Sequence, residues 1–154
     1  MVQDNQEVCK VSRTASRTSS GGLQGLGKLR IVGVVLISLV GLIHLLVTPE
    51  YFEYAAYVGL LFLVNVAGSA VSAYGIYRGA RWGWILGLVI SIGSFVGYIV
   101  SRTVGLPGAP GILREPFTEP PGLFSLVVEA AFVVVAAYVL TRQRRTTASS
   151  GEAA

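Results

Sequence analysis

Residues 31–49 read IVGVVLISLVGLIHLLVTP, an apolar run without a formal charge that ends in Thr-Pro. A helix rises about 1.5 Å per residue, so roughly 20 apolar residues cover the hydrocarbon layer of a bilayer. This stretch has that length. It also holds His44, the only histidine in the chain. The reading of the run therefore decides the fold, and the placement of its imidazole raises the question of function.

Three further runs have the same character: Tyr54–Tyr77, Trp82–Ser101 and Gly122–Thr141. Among the four, only the last adds another ionisable acid or base, Glu129. Charged residues make up 13% of the 154-residue chain, against 53% apolar. A soluble domain carries about 25% charged residues, so a water-facing surface is undersupplied here. The expected class is all-α, a polytopic membrane protein built as a four-transmembrane-helix bundle.

The first run is expected to be a retained span, not a cleaved leader. A long polar segment, Met1–Leu29, precedes it, and no small-residue cleavage site closes it. Cys9 follows no apolar stretch, which argues against a lipid-anchored start. A single cysteine forms no internal disulfide.

Threading four spans sorts the charges. Lys10, Arg13, Arg17, Lys28, Arg30, Arg78, Arg81, Arg142, Arg144 and Arg145 fall on one side. The other side receives Arg102 and Arg114 with Glu50, Glu53, Glu115 and Glu119. The positive-inside rule then places both termini in the cytoplasm of a cell whose plasma (inner) membrane holds the chain. The bilayer is the expected partner, with anionic head groups near the basic ends. A nucleic-acid partner is not expected, because no aromatic residues interleave with the basic ones in either tail.

The expected organisation is a disordered basic cytoplasmic tail over 1–28, a transmembrane domain over 29–141, and a second basic, disordered tail over 142–154. Within the domain the spans cover about 31–49, 54–77, 82–101 and 122–141, with a Pro/Gly-rich loop over 102–121. Pro49 disfavours helix at the residue before it and predicts an end near Thr48, followed by a short outer connection to about Glu53. The segment Ser101–Gly122 contains five of the six prolines and reads as a cap over the outer end of the bundle.

Small residues let membrane helices approach. At helical spacing Ser38, Gly41, His44 and Thr48 share a broad face of span one, with Gly33 at its edge. Asn65, Gly68, Ser72 and Gly75 mark span two; Gly83, Gly87, Ser91, Ser94 and Tyr98, with Ser101 or Arg102, mark span three; Gly122, Ser125, Glu129, Phe132 and Ala136 mark span four. Tyr51, Tyr54 and Tyr57 suit the outer interface. Gly93-x-x-x-Gly97 lies on a neighbouring face of span three and offers a dimer contact. A homo-oligomer or a partner membrane protein both fit that face.

A span ending at Thr48 places His44 about 6 Å below the outer end. Glu129 lies about 10 Å below the start of span four. With Tyr98, Arg102 and Glu53 they form an expected polar cluster in the outer third of the bundle. An ionised Glu inside a membrane has to face the interior and find a partner, so Glu129 is expected to contact His44 or Arg102. Such a pair serves either as a functional site or as a device fixing helix register.

No spacing typical of zinc or di-iron ligands occurs, so the metal remains unassigned. Haem held by two histidines would need His44 from two subunits. No nucleophile motif follows a strand, and the glycine-rich segment Gly21–Gly27 lacks the strand that precedes a phosphate loop. No cofactor and no catalytic residue are named by the sequence.

A His near the outer end of span one, "RTVGLPG" (Arg102–Gly108) after span three, an "EP" pair and a Glu early in span four make up a pattern. It resembles small four-span bacterial integral membrane proteins of unassigned function, over residues 31–141. The resemblance implies the four-span architecture and no activity. Three functions compete: a non-enzymatic or accessory membrane subunit whose cluster binds a small ligand or ion; a proton- or ion-coupled permeation protein acting as an oligomer; and a membrane enzyme with His44 as acid or base.

Overall fold

The computed structural model describes residues 2–108 and 120–151, with side chains over 25–108 and 120–145. The regular elements among them are four α-helices: α1 (Val2–Tyr54), α2 (Ala56–Tyr77), α3 (Arg81–Thr103) and α4 (Pro120–Gly151). Each contains a stretch long and apolar enough to cross a membrane: Gly25–Tyr54, Ala56–Tyr77, Arg81–Thr103 and Pro120–Arg145. The backbone of residues 2–28 continues α1, and that of 142–151 continues α4, where composition alone pointed to irregular tails. Extending an existing helix adds a hydrogen bond for each residue fixed, so it is far easier than starting one.

The connections explain the arrangement. A single extended residue, Ala55, separates α1 from α2; its φ is −167° and ψ 137°. Its carbonyl accepts the Val58 and Gly59 N–H groups at 3.0 and 3.3 Å. At the other end of α2, Gly79 takes φ 75°, a left-handed value that glycine adopts without strain. The Ala80 N–H reaches back to the Gly75 carbonyl and the Gly79 N–H to that of Ile76, both at 2.9 Å. That pair of bonds is a Schellman stop, and it sends α3 straight back along α2. The helices form a ring in which α1 packs on α2 and α4, and α3 packs on the same two. One end of the bundle carries Ala55 and residues 104–108, here the connection end. The other carries the 78–80 turn and is the terminal end.

The terminal half is closely packed. Ile37, Val40, Ile76, Trp84, Val128, Phe132, Ala136 and Val139 make its buried core. Trp84 stacks near Phe132 with centroids 6.1 Å apart and lies against Gly33, where any side chain would collide with the indole. A Cβ on Gly83 would fall 2.5 Å from the Ile76 nitrogen, so α2 and α3 touch backbone to backbone there. The Ser72 hydroxyl donates to the Gly83 carbonyl at 2.8 Å across the same crossing.

Two boundary expectations are corrected. Helix α1 does not end at Thr48; Pro49 lies inside it, and the helix runs on to Tyr54. Proline at 49 removes the backbone donor to the Leu45 carbonyl, and one residue earlier the Thr48 hydroxyl donates to the His44 carbonyl at 2.6 Å. Beyond the proline, Tyr51 is buried and stacks on Phe62 at 4.2 Å, which holds the last turn in place. A steric disfavour at one residue is outweighed by this packing. The connection between α1 and α2 is accordingly Ala55 alone and not residues 49–53.

Ser38 is the second correction, because it is exposed. The buried stripe of α1 is Gly33, Ile37, Val40, Gly41, His44, Thr48 and Tyr51. At about 100° per residue Ser38 lies roughly 120° around the helix from His44, beyond that stripe. Of the other expected packing positions, Gly33, Gly41, Ser72, Gly83, Gly87 and Ser91 are buried and Gly68 is half-buried.

Candidate functional site

The crossing of α2 and α3 is tight at Gly75 and Gly83, and a Cβ on Gly68 would still meet Ile90. Nearer the connection end the two helices leave room. A cavity of about 420 Å³ opens there, lined from all four helices. Its walls are mainly apolar, from residues such as Val47, Val58, Phe62, Ile90 and Leu126.

The polar groups on its lining lie at one level. His44 is ten residues before the end of α1, and Ser94 nine before the end of α3. Asn65 and Glu129 are nine residues after the starts of α2 and α4. At the helical rise all four sit about 14–15 Å from the connection end. This is deeper than the outer-third placement expected from a helix ending at Thr48, and the continuation of α1 past Pro49 accounts for the difference.

His44 and Glu129 are 7% and 2% exposed. Their Nε2 and Oε1 atoms are 3.9 Å apart. The Ser94 hydroxyl lies 2.8 Å from Nε2 and within hydrogen-bonding reach of the Glu129 carboxyl. Ser125 donates to Glu129 Oε1 at 3.0 Å from one turn earlier on α4. The ring of Phe62 covers the imidazole with centroids 5.0 Å apart.

The hydrogen bonds settle which ring nitrogen carries a proton. His44 Nδ1 lies 2.9 Å from the Val40 carbonyl, which only accepts. Nδ1 is therefore an N–H donor in either charge state of the ring. When the ring is neutral, Nε2 accepts from the Ser94 O–H. When it is a cation, Nε2–H donates to Ser94 Oγ, and the hydroxyl proton turns to Glu129. Rotation of one hydroxyl thus links the two states. The unit can hold a hydrogen-bonding group of a ligand, donating or accepting as needed.

Arg102 and Tyr98 stand above this level, nearer the connection end. Arg102 is buried; its guanidinium donates to Ser101 Oγ at 3.3 Å and to the Tyr51 hydroxyl at 3.4 Å. It also sits 4.9 Å over the Tyr98 ring. Tyr98 in turn rests against Gly122, where a Cβ would meet the ring at 2.6 Å. Both residues line the cavity. Glu53 does not join them, which corrects that part of the expected cluster. It is exposed on the last turn of α1, whose inward residue is Tyr51. Among the described residues no group of three His, Cys, Asp or Glu side chains comes close enough to hold a metal ion.

Sequence reasoning assigned Ser94 and Asn65 to packing faces and Tyr51 to an interface, and did not include Phe62. Their spacing contained a signal: Ser94 follows Ser91 by one turn, and Tyr51 follows His44 by two. The described part of the proline-rich segment folds toward the site. Leu106 packs on the Tyr51–Val58 cluster, and the Tyr57 hydroxyl donates to the Pro107 carbonyl at 2.6 Å. The rest of the expected cap, residues 109–119, lies outside the described residues.

No family model, curated protein or solved structure matches this chain.

Proposed function

We propose that this chain is a multi-pass protein of the cell membrane, with both termini in the cytoplasm, that binds a small ligand in the cavity above His44, Ser94 and Glu129. The observation that carries this reading is a His–Ser–Glu unit, its His44 and Glu129 buried and its Ser94 half-buried, on the wall of an open, largely apolar cavity of about 420 Å³. Ligand pockets fall in the range of about 300–1,000 Å³ and combine apolar walls with a few convergent polar groups. A pair that only fixed helix register would not need an open space beside it. Ionisable side chains inside membrane helices are by default functional candidates.

Binding is favoured over permeation by what lies beneath. Toward the terminal end the Ile37, Ile76, Trp84 and Phe132 side chains fill the bundle and are at most 2% exposed. A single chain has a cavity there and not a path. An ion as ligand is disfavoured by the apolar walls and the small number of anionic donors.

A thiol at Asn65, on the cavity wall but outside the His–Ser–Glu unit, tests the reading. In a Cys9→Ser background, hexan-1-ol is expected to slow alkylation of Asn65→Cys saturably. Leu46→Cys, on the outward face of α1, serves as the control. Equal slowing at both positions, or none at either, would contradict a binding cavity.

A further inference from the structure

The cavity has a side door. From Gly68 toward the connection end, α2 contributes Leu61, Val64 and Asn65 to its lining, and α3 contributes Val89, Gly93 and Gly97. Leu61, Val64 and Val89 are 58%, 68% and 64% exposed, so they border both the cavity and the outer surface of the bundle. Gly93 and Gly97 are exposed, and a Cβ on either would meet nothing within 4 Å. In a membrane-embedded bundle this opening faces hydrocarbon. It carries no charged residue, and directly behind it stand Asn65, Ser94, His44 and Glu129.

Resting on the ligand-binding reading above, we infer that the ligand is a long-chain lipid with a neutral hydrogen-bonding head, an alcohol or carbonyl, that enters from the bilayer between α2 and α3. Its head meets the His44–Ser94–Glu129 unit and its chain lies across Gly93 and Gly97. Three arguments choose this occupant. A helix of a second copy is about 10 Å across and cannot follow the cavity inward to His44, whereas an alkyl chain can. A charged or zwitterionic head would have to leave the interface for a level about 14 Å below the helix ends, so a phospholipid does not bring its head to this unit. A neutral oxygen pays little to reach that depth and finds donors and acceptors there. The two glycines also take on a role: side chains at 93 and 97 would fill the slot that the chain needs.

The test uses octadecan-1-ol carrying a diazirine near its hydroxyl, with the full chain in phosphatidylcholine nanodiscs. In the wild type, light-driven labelling of peptides containing Phe62 and Tyr98 is expected to saturate and to be displaced by plain octadecan-1-ol. Excess phosphatidylcholine is expected not to displace it. Gly93→Leu with Gly97→Leu is expected to reduce that labelling about tenfold. Both glycines are in an exposed helix interior, so leucine there favours helix and leaves folding intact. In this variant hexan-1-ol still protects Asn65→Cys. If labelling persists undiminished in the variant, or only matches that of the outward Leu45–Leu46 segment, the lateral lipid slot is overturned while hexan-1-ol protection keeps the cavity reading. If the double variant instead separates a dimer in native mass spectrometry, the occupant is a second copy and the inference fails. If hexan-1-ol does not slow alkylation of Asn65→Cys in the Cys9→Ser chain with Gly93 and Gly97 intact, the cavity reading falls first.

Discussion

His44 on α1 and Glu129 on α4 meet at the same level of the bundle, with Nε2 and Oε1 3.9 Å apart and the Ser94 hydroxyl 2.8 Å from that nitrogen. Three helices therefore share one polar contact at mid-height. Each surrounding group supports it: the Val40 carbonyl fixes Nδ1, Ser125 holds the carboxyl, and Phe62 covers the ring.

The contact between α1 and α3 should be measurable as an energy. A double-mutant cycle with His44→Ala and Ser94→Ala, followed by unfolding in bicelles, is expected to give a coupling of about 1 kcal/mol. Hydrogen bonds between membrane helices average about 0.6 and reach about 1.7 kcal/mol. A coupling indistinguishable from zero would mean that the two side chains do not interact.

Glu129 should tolerate an amide better than a truncation. Glu129→Gln keeps an acceptor for the Ser125 hydroxyl and is expected to stay within about 1 kcal/mol of the wild type. Glu129→Ala leaves Ser125 and His44 facing a void and should lower stability by about 1–3 kcal/mol. Thermal unfolding of the two variants side by side checks the order.

Glycines on the two faces of α3 should respond in opposite ways. A methyl at Gly83 collides with the α2 backbone, 2.5 Å from the Ile76 nitrogen and 2.6 Å from the Gly75 carbonyl carbon. Gly83→Ala is expected to cost about 1–3 kcal/mol, the usual penalty of overpacking. Gly93→Ala meets empty space and is expected to be neutral or stabilising by up to about 1 kcal/mol. Unfolding midpoints of the two variants give the answer.

The proposed orientation has its own test. Glu53 is exposed at the connection end. In a Cys9→Ser background, Glu53→Cys should react with a membrane-impermeant maleimide on intact cells. The native Cys9 in the unaltered chain should react only after permeabilisation. The reverse pattern would place the termini outside.

Much of this architecture was legible in the sequence because spanning length and absence of charge are strong signals. His44 and Glu129 were readable as a pair for the same reason: few ionisable groups lie in the runs, so few contacts are open to them. The depth of the pair was not legible. It depended on Pro49, where a local backbone preference gave way to the stacking of Tyr51 on Phe62, a contact between two helices. Ser94 was hidden by ambiguity, since a small hydroxyl residue serves helix packing and hydrogen bonding equally well. Glu53 was misplaced because it was located by its distance from an expected helix end. Once α1 continues, that position turns outward. The side opening was beyond reach, because Gly93-x-x-x-Gly97 has the same spacing whether it contacts a helix or leaves a gap.

Because the chain has one histidine, nitrogen NMR of 15N-histidine-labelled protein in nanodiscs reads this site alone. The measurement is the side-chain spectrum of the wild type beside Ser94→Ala and Glu129→Gln. The account expects a proton on Nδ1 in all three, with the Nε2 signal shifted by each substitution. An Nε2 signal that ignores both substitutions, or an Nδ1 without its proton, would contradict the His44–Ser94–Glu129 unit on which the ligand-binding account rests.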